Sequence, residues 1–87
     1  MKRERILIVD SNPLEGASLR AALCESGFDA VEASTAEGAL ALVPSFQPAA
    51  VLADGAMPDV DGAAMVARLR AIKSDAAVVV STAPDRL

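Results

Sequence analysis

Apolar residues fall along the chain in two kinds of pattern. Four short runs are apolar and unbroken or nearly so: Ile6–Val9, Phe28–Ala33, Ala49–Ala53 and Ala76–Val80. Unbroken runs of this length read as strands buried on both faces, the habit of a parallel sheet. The second run differs. It alternates Asp29, Val31 and Ala33 against Ala30 and Glu32, which predicts a strand with one wetter face at a sheet edge. Between the runs lie stretches with helical spacing, so the order is strand, helix, strand, helix, strand, helix, strand. Alternation of this kind predicts right-handed crossovers and a parallel sheet.

Turn and capping residues sharpen the boundaries. Asn12 is a good N-cap and Pro13 suits the first helical position. Leu14, Leu19, Ala22, Leu23 and Ser26 supply an approximate stripe for that helix, and Gly27 is expected to end it in the left-handed conformation. Ser34-Thr35-Ala36-Glu37 matches a capping box, followed by Ala39, Leu40, Leu42 and Val43. Pro44 is expected to end or kink the second helix. Asp61-Gly62 begins the third, with Met65, Val66, Leu69 and Ile72 at helical spacing. Arg68, Arg70 and Lys73 lie toward its C-terminal end, where cations are favourable.

Composition narrows the chemistry. The chain has 87 residues, one domain's worth, and is 53% hydrophobic with only 2% aromatic. Its core must be aliphatic, with Phe28 and Phe46 as the only rings. A net charge of -4 argues against nucleic-acid binding by a basic patch. The absence of His excludes His catalysis and His-ligated metal. Cys24 stands alone, reads as a core or boundary residue, and fits a reducing cytoplasm. The basic start Met-Lys-Arg-Glu-Arg precedes too short an apolar run for a signal peptide, and no run is long enough to span a bilayer.

Two of the strands end in an acid. Arg5-Ile6-Leu7-Ile8-Val9-Asp10 enters the loop Ser11-Asn12-Pro13, and Ala49-Ala50-Val51-Leu52-Ala53-Asp54 enters a loop rich in Gly and Pro. In open α/β sheets ligands bind at the carboxyl edge of the strands. In the doubly wound order 2-1-3-4 the first and third strands are neighbours, which brings Asp10 and Asp54 together. Facing carboxylates repel unless a proton or cation intervenes. The available ligands are all oxygen, so the cation implied is hard, Mg2+ foremost, with the backbone carbonyl of Ala56 as a third ligand. A carboxylate beside such a cation can attack a phosphoryl group. Thr82, leaving the fourth strand, is placed for its hydroxyl to meet a phosphoryl oxygen on Asp54. Asp59 and Asp61 read as a loop-surface residue and a helix N-cap, and Met57 and Met65 as packing residues.

Taken together, Ile6-Leu7-Ile8-Val9-Asp10, Val51-Leu52-Ala53-Asp54, Met57-Pro58-x-x-Asp61-Gly62 and Val79-Val80-Ser81-Thr82-Ala83 resemble the receiver domain of bacterial two-component response regulators. The spacings fit without a gap across the chain, and the combination is far more specific than any one piece. The resemblance implies a flavodoxin-like fold over residues 1–87 and a signalling module rather than an enzyme. It makes Asp54 the phosphate-accepting aspartate and Thr82 the switch hydroxyl. Asp10 and the Ala56 carbonyl would hold Mg2+, and Met57-Pro58 with Asp61-Gly62 would shape the loop after the acceptor. The donor implied is a phosphohistidine on a histidine kinase or phosphotransfer protein.

Two departures matter. The family has two adjacent acids after the first strand, and here the second is Ser11, a poorer ligand that is expected to weaken Mg2+ binding. The family also continues through a further helix, strand and helix, with a lysine after the fifth strand that has no counterpart here. The chain therefore reads as a fragment or a shortened receiver. Val78-Val79-Val80 becomes an open apolar edge, and only the first helix covers the face shared by the first and third strands. Each large apolar residue left bare forfeits about 1.5–3 kcal/mol, so association is expected through the fourth strand or the uncovered face, most simply as a two-fold dimer. A pseudo-receiver serving assembly without phosphorylation is the alternative. A small Mg2+-dependent phosphatase or nucleotide-binding protein ranks below both, because there is no Asp-x-Asp after the first strand and no Gly-rich phosphate loop.

Overall fold

Strands β1 (Arg5–Val9), β2 (Asp29–Ala33), β3 (Ala50–Asp54) and β4 (Ala77–Ser81) form one sheet in the order β2-β1-β3-β4. Helices α1 (Pro13–Glu25), α2 (Ala36–Phe46) and α3 (Gly62–Ile72) connect them in sequence. Every neighbouring pair is parallel. The computed structural model describes residues 3–54, 62–72 and 77–81, with side chains described for 3–53, 67–72, 77 and 78. The expected doubly wound order is the one observed, with β2 and β4 outermost among the described strands.

The sheet is two-sided, as its unbroken apolar strands require. Leu7 and Val9 of β1, Val51 and Ala53 of β3, and Val31, Ala33 and Val78 line one face. Ala39, Leu40 and Val43 of α2 and Leu69 of α3 pack against them. Side chains alternate along a strand, so Ile6, Ile8 and Leu52 lie on the opposite face, toward α1. Ile6 and Ile8 are buried there, while Leu52 is only half-buried. Cover on the α1 side thus thins from β1 toward β3, as expected of a face served by one helix.

The start of α1 follows the sequence reading. The Asn12 side chain accepts from the N–H groups of Leu14 and Glu15 at 3.0 and 3.5 Å, with Pro13 beside it in the first turn. Its end is a Schellman motif. The Phe28 N–H donates to the Leu23 carbonyl and the Gly27 N–H to the Cys24 carbonyl, with Gly27 at φ 97°. Cys24 is a half-buried boundary residue, as expected.

The apolar stripe assigned to α1 is corrected. Leu14 is 79% exposed, and Leu19, Ala22 and Ser26 are exposed as well; only Leu23 is half-buried. The helix meets the sheet along Gly16, Ala17, Arg20, Leu23 and Cys24, a set at helical spacing that hydrophobicity does not reveal. Gly16 is fully lodged against β2, and the Arg20 Nε donates to Glu32 Oε1 at 3.0 Å. The residue buried deepest is a glycine, and the exposed Arg20 reaches Glu32 from the border of the contact, so small residues and Leu23 mark the face rather than a stripe of leucines.

Two expectations for α2 are also revised. Its N-cap is Thr35, whose hydroxyl accepts from the Gly38 N–H at 3.0 Å. The box starting at Ser34 is therefore not used, and the third helical position is a glycine with no side chain to reach back. Pro44 does not end the helix, which continues to Phe46. It sits in the last turn, where the lost donor is a single bond. Gln47 then closes the helix in the left-handed region at φ 53°, its N–H on the Val43 carbonyl and its side-chain amide on the Pro44 carbonyl. In α3, Leu69 is buried as expected, but Ile72 is 45% exposed. The side chains of Met65 and Val66, together with Asp61 and Lys73, lie outside the described residues.

Candidate functional site at the carboxyl rim of the sheet

Register decides which residues meet at the rim. Val9 of β1 stands opposite Ala53 of β3. The next residue on each strand is an acid, so Asp10 and Asp54 leave the sheet side by side, at the same edge. On the far side of β3, Asp54 stands opposite Ser81 of β4, and Thr82 is the residue after Ser81. The arrangement anticipated from the two acid-terminated strands is therefore present in the backbone.

Asp10 is held by local bonds. Its N–H donates to the Ala33 carbonyl at 3.0 Å, extending the β1–β2 pairing by one residue. Its Oδ1 accepts from the Asn12 N–H at 2.9 Å, an Asx turn that leads straight into the capped first turn of α1. The carboxylate is half-buried, and among the described residues no cation pairs with it. Ser11, next in the chain, is exposed. Asn12 does more than the capping its sequence predicts, because its backbone N–H also orients Asp10.

The side chain of Asp54, and all of Ala56, Met57, Pro58, Asp59, Asp61 and Thr82, lie outside the described residues. Among the described residues, no three His, Cys, Asp or Glu side chains are grouped as a metal cluster. Among the described residues, the backbone brings Asp10, Ser11, Asp54 and Ser81 to this rim, residue types that carry oxygen donors of the kind hard cations take. Among the described residues no helix is long and apolar enough to cross a membrane.

Known proteins agree with this geometry. The chain is 37% identical over 81 residues to the response regulator MprA of Mycolicibacterium vanbaalenii, covering 93% of this chain and 35% of that protein. It is 35% identical over 81 residues to MprA of Mycobacterium avium, covering 36% of it. The chain thus spans about a third of the length of the curated relatives it matches. Among solved structures, it superposes with a TM-score of 0.85 on a CheY-like response regulator receiver domain protein from Methanospirillum hungatei. Identity there is 25%, with 93% of this chain and 65% of that one covered. A sensor protein from a Polaromonas species gives a TM-score of 0.82 at 33% identity, with 98% of this chain and 70% of that one covered. The family profile of the response regulator receiver domain matches residues 6–87. A four-stranded 2-1-3-4 sheet with acids at its carboxyl rim, matched almost throughout by that profile, makes this chain a member of the response regulator receiver domain family.

Proposed function

We propose that Asp54 accepts a phosphoryl group from a phosphohistidine on a histidine kinase or phosphotransfer protein, in a cytoplasmic two-component relay. The register that sets Asp54 between Asp10 and Ser81 carries this reading. One Asp54 carboxylate oxygen bonds to phosphorus as the phosphorus–nitrogen bond of the donor breaks, and the imidazole nitrogen keeps the electron pair. The product is an acyl phosphate on Asp54. The Thr82 hydroxyl then donates to a phosphoryl oxygen, which ties the end of β4 to the state of the site.

Mg2+ fits the oxygen donors at this rim, and Asp10, Asp54 and the Ala56 carbonyl would hold it, with Ser11 contributing at most a neutral hydroxyl. When bound, it supplies positive charge against the phosphoryl oxygens. The chain's own residues do the rest. The Asn12 N–H fixes one Asp10 oxygen, so the second is oriented before any ligand arrives.

The test is exposure of the chain to acetyl phosphate with Mg2+, followed by intact mass. Wild type gains one phosphoryl group and Asp54→Ala gains none. An equal gain in both, or no gain in wild type, refutes the acceptor role.

The exposed Ser11, where the family carries a second acid, favours a second reading: a pseudo-receiver that uses the fold for assembly. That reading requires Asp54→Asn to leave oligomerisation and partner binding unchanged. Under either reading, we infer that the 87-residue chain associates with a second copy through β4 or through the thinly covered α1-side face.

A further inference from the structure

We propose that Asn12 sets the cation selectivity of the rim, by leaving Asp10 a single oxygen with which to bind. This rests on the reading of the rim as a cation site given above, and it does not need Asp54 to be phosphorylated. The Asn12 N–H donates to Asp10 Oδ1 at 2.9 Å. Among the described residues it is the one donor to that carboxylate, so Oδ2 is the oxygen that remains for a ligand. Ser11 follows with a neutral hydroxyl, so the carboxylate charge at the end of β1 is that of Asp10 alone. The number of oxygens Asp10 can offer therefore weighs heavily there.

The surroundings of Asn12 hold this arrangement. Its side chain accepts from the Leu14 and Glu15 N–H groups and its carbonyl from the Gly16 N–H at 3.0 Å, while Pro13 has no N–H to give. The first-turn donors of α1 are thus spent on Asn12, and none is left to replace its N–H at Asp10. Pro13 also keeps Asn12 extended, at φ -93° and ψ 108°, the shape that aims its N–H back at Asp10. Denticity separates the two common hard cations. Ca2+ takes about 6–8 oxygens and accepts both oxygens of one carboxylate, whereas Mg2+ demands an octahedron, keeps several waters and is satisfied by single oxygens. A carboxylate with one oxygen already hydrogen-bonded suits Mg2+ and disfavours Ca2+. Asn12 is a positioning residue, acting through Asp10 rather than on the cation.

Calorimetric titration with MgCl2 and with CaCl2 gives the ratio of the two affinities. It is compared among wild type, Asn12→Ala, Asn12→Pro and a chain in which an ester replaces the amide between Ser11 and Asn12. The ester chain is assembled by ligating a synthetic segment 1–23 to 24–87 at Cys24, the single cysteine. Asn12→Ala loses the cap and keeps the N–H, the ester keeps the cap and loses the N–H, and Asn12→Pro loses both. The ester and Asn12→Pro are expected to shift the ratio toward Ca2+ about tenfold, and Asn12→Ala to leave it unchanged. A shift shared by Asn12→Ala and Asn12→Pro but absent from the ester assigns the effect to the cap and overturns the proposal. Equal ratios in all the chains, or a wild type that binds neither cation, overturn it too. The acetyl phosphate test is read separately. A phosphoryl gain with unchanged ratios overturns the selectivity and keeps the acceptor role, and a shifted ratio without a gain does the reverse.

Discussion

Val9 and Ala53 stand opposite each other across β1 and β3, and this single pairing sends Asp10 and Asp54 off the same edge of the sheet. A slip of one residue in that register would put the two acids out of step. The apolar runs prevent it, because a slip would also turn Leu7, Val9, Val51 and Ala53 away from α2. The same packing that buries the core therefore aligns the rim.

Ser11 offers a direct test of how that rim binds cations. Replacing it with Asp adds a second negative charge beside Asp10. Ser11→Asp is expected to tighten Mg2+ about tenfold, since one more unit charge near the ion is worth about 1 kcal/mol or more in a partly solvated site. Calorimetric titration with Mg2+ checks this. Unchanged affinity would mean that Ser11 lies away from the cation.

Two leucines of the same chemistry separate burial from exposure. Leu69 is fully buried between α2 and the sheet, and Leu14 is 79% exposed. Leu69→Ala is expected to cost about 2–5 kcal/mol, enough to unfold much of a domain this small, while Leu14→Ala changes stability by less than about 0.5 kcal/mol. Urea denaturation of both variants measures the contrast.

Gly16 and Glu32 are coupled by crowding. A Cβ on Gly16 would lie 2.6 Å from Glu32 Oε2, the far end of a side chain that Arg20 holds in place. Gly16→Ala must therefore displace the carboxylate and weaken its pairing with Arg20. In a Glu32→Ala background that conflict is gone, and the helix preference of alanine should emerge as a gain of up to about 1 kcal/mol. A double-mutant cycle in urea isolates the coupling, and strictly additive effects would contradict it.

Asn12 bridges stability and site. Asn12→Ala removes the side-chain acceptor for Leu14 and Glu15 and is expected to cost about 1 kcal/mol. The backbone bond from residue 12 to Asp10 survives the change. Loss of stability should therefore exceed loss of Mg2+ affinity, and thermal melts with and without the cation compare the two.

The caps and the strand order were legible because their signals are local. Asn12-Pro13 and Gly27 each satisfy backbone groups within a few residues, so no distant partner is needed to read them. The face of α1 was not legible. Its contact surface holds Gly16 and Arg20, which look polar or neutral until β2 supplies Glu32 from elsewhere in the chain. Pro44 misled for a related reason: a proline in the final turn of a helix removes one bond where few remain. At the rim, the acids announced themselves by ending apolar runs. The bond from the Asn12 backbone to Asp10 did not, because every residue has an N–H and only the turn's shape aims this one.

The acids on β2 bear on how far assembly can run. Asp29 is exposed and ion-paired to Arg3, and Glu32 is ion-paired to Arg20, so charge lines the rim strand farthest from β4. A sheet with two receptive borders would recruit copies without end and grow into fibrils. The charged β2 border cannot template such growth, because chains that met there would bring their acids together.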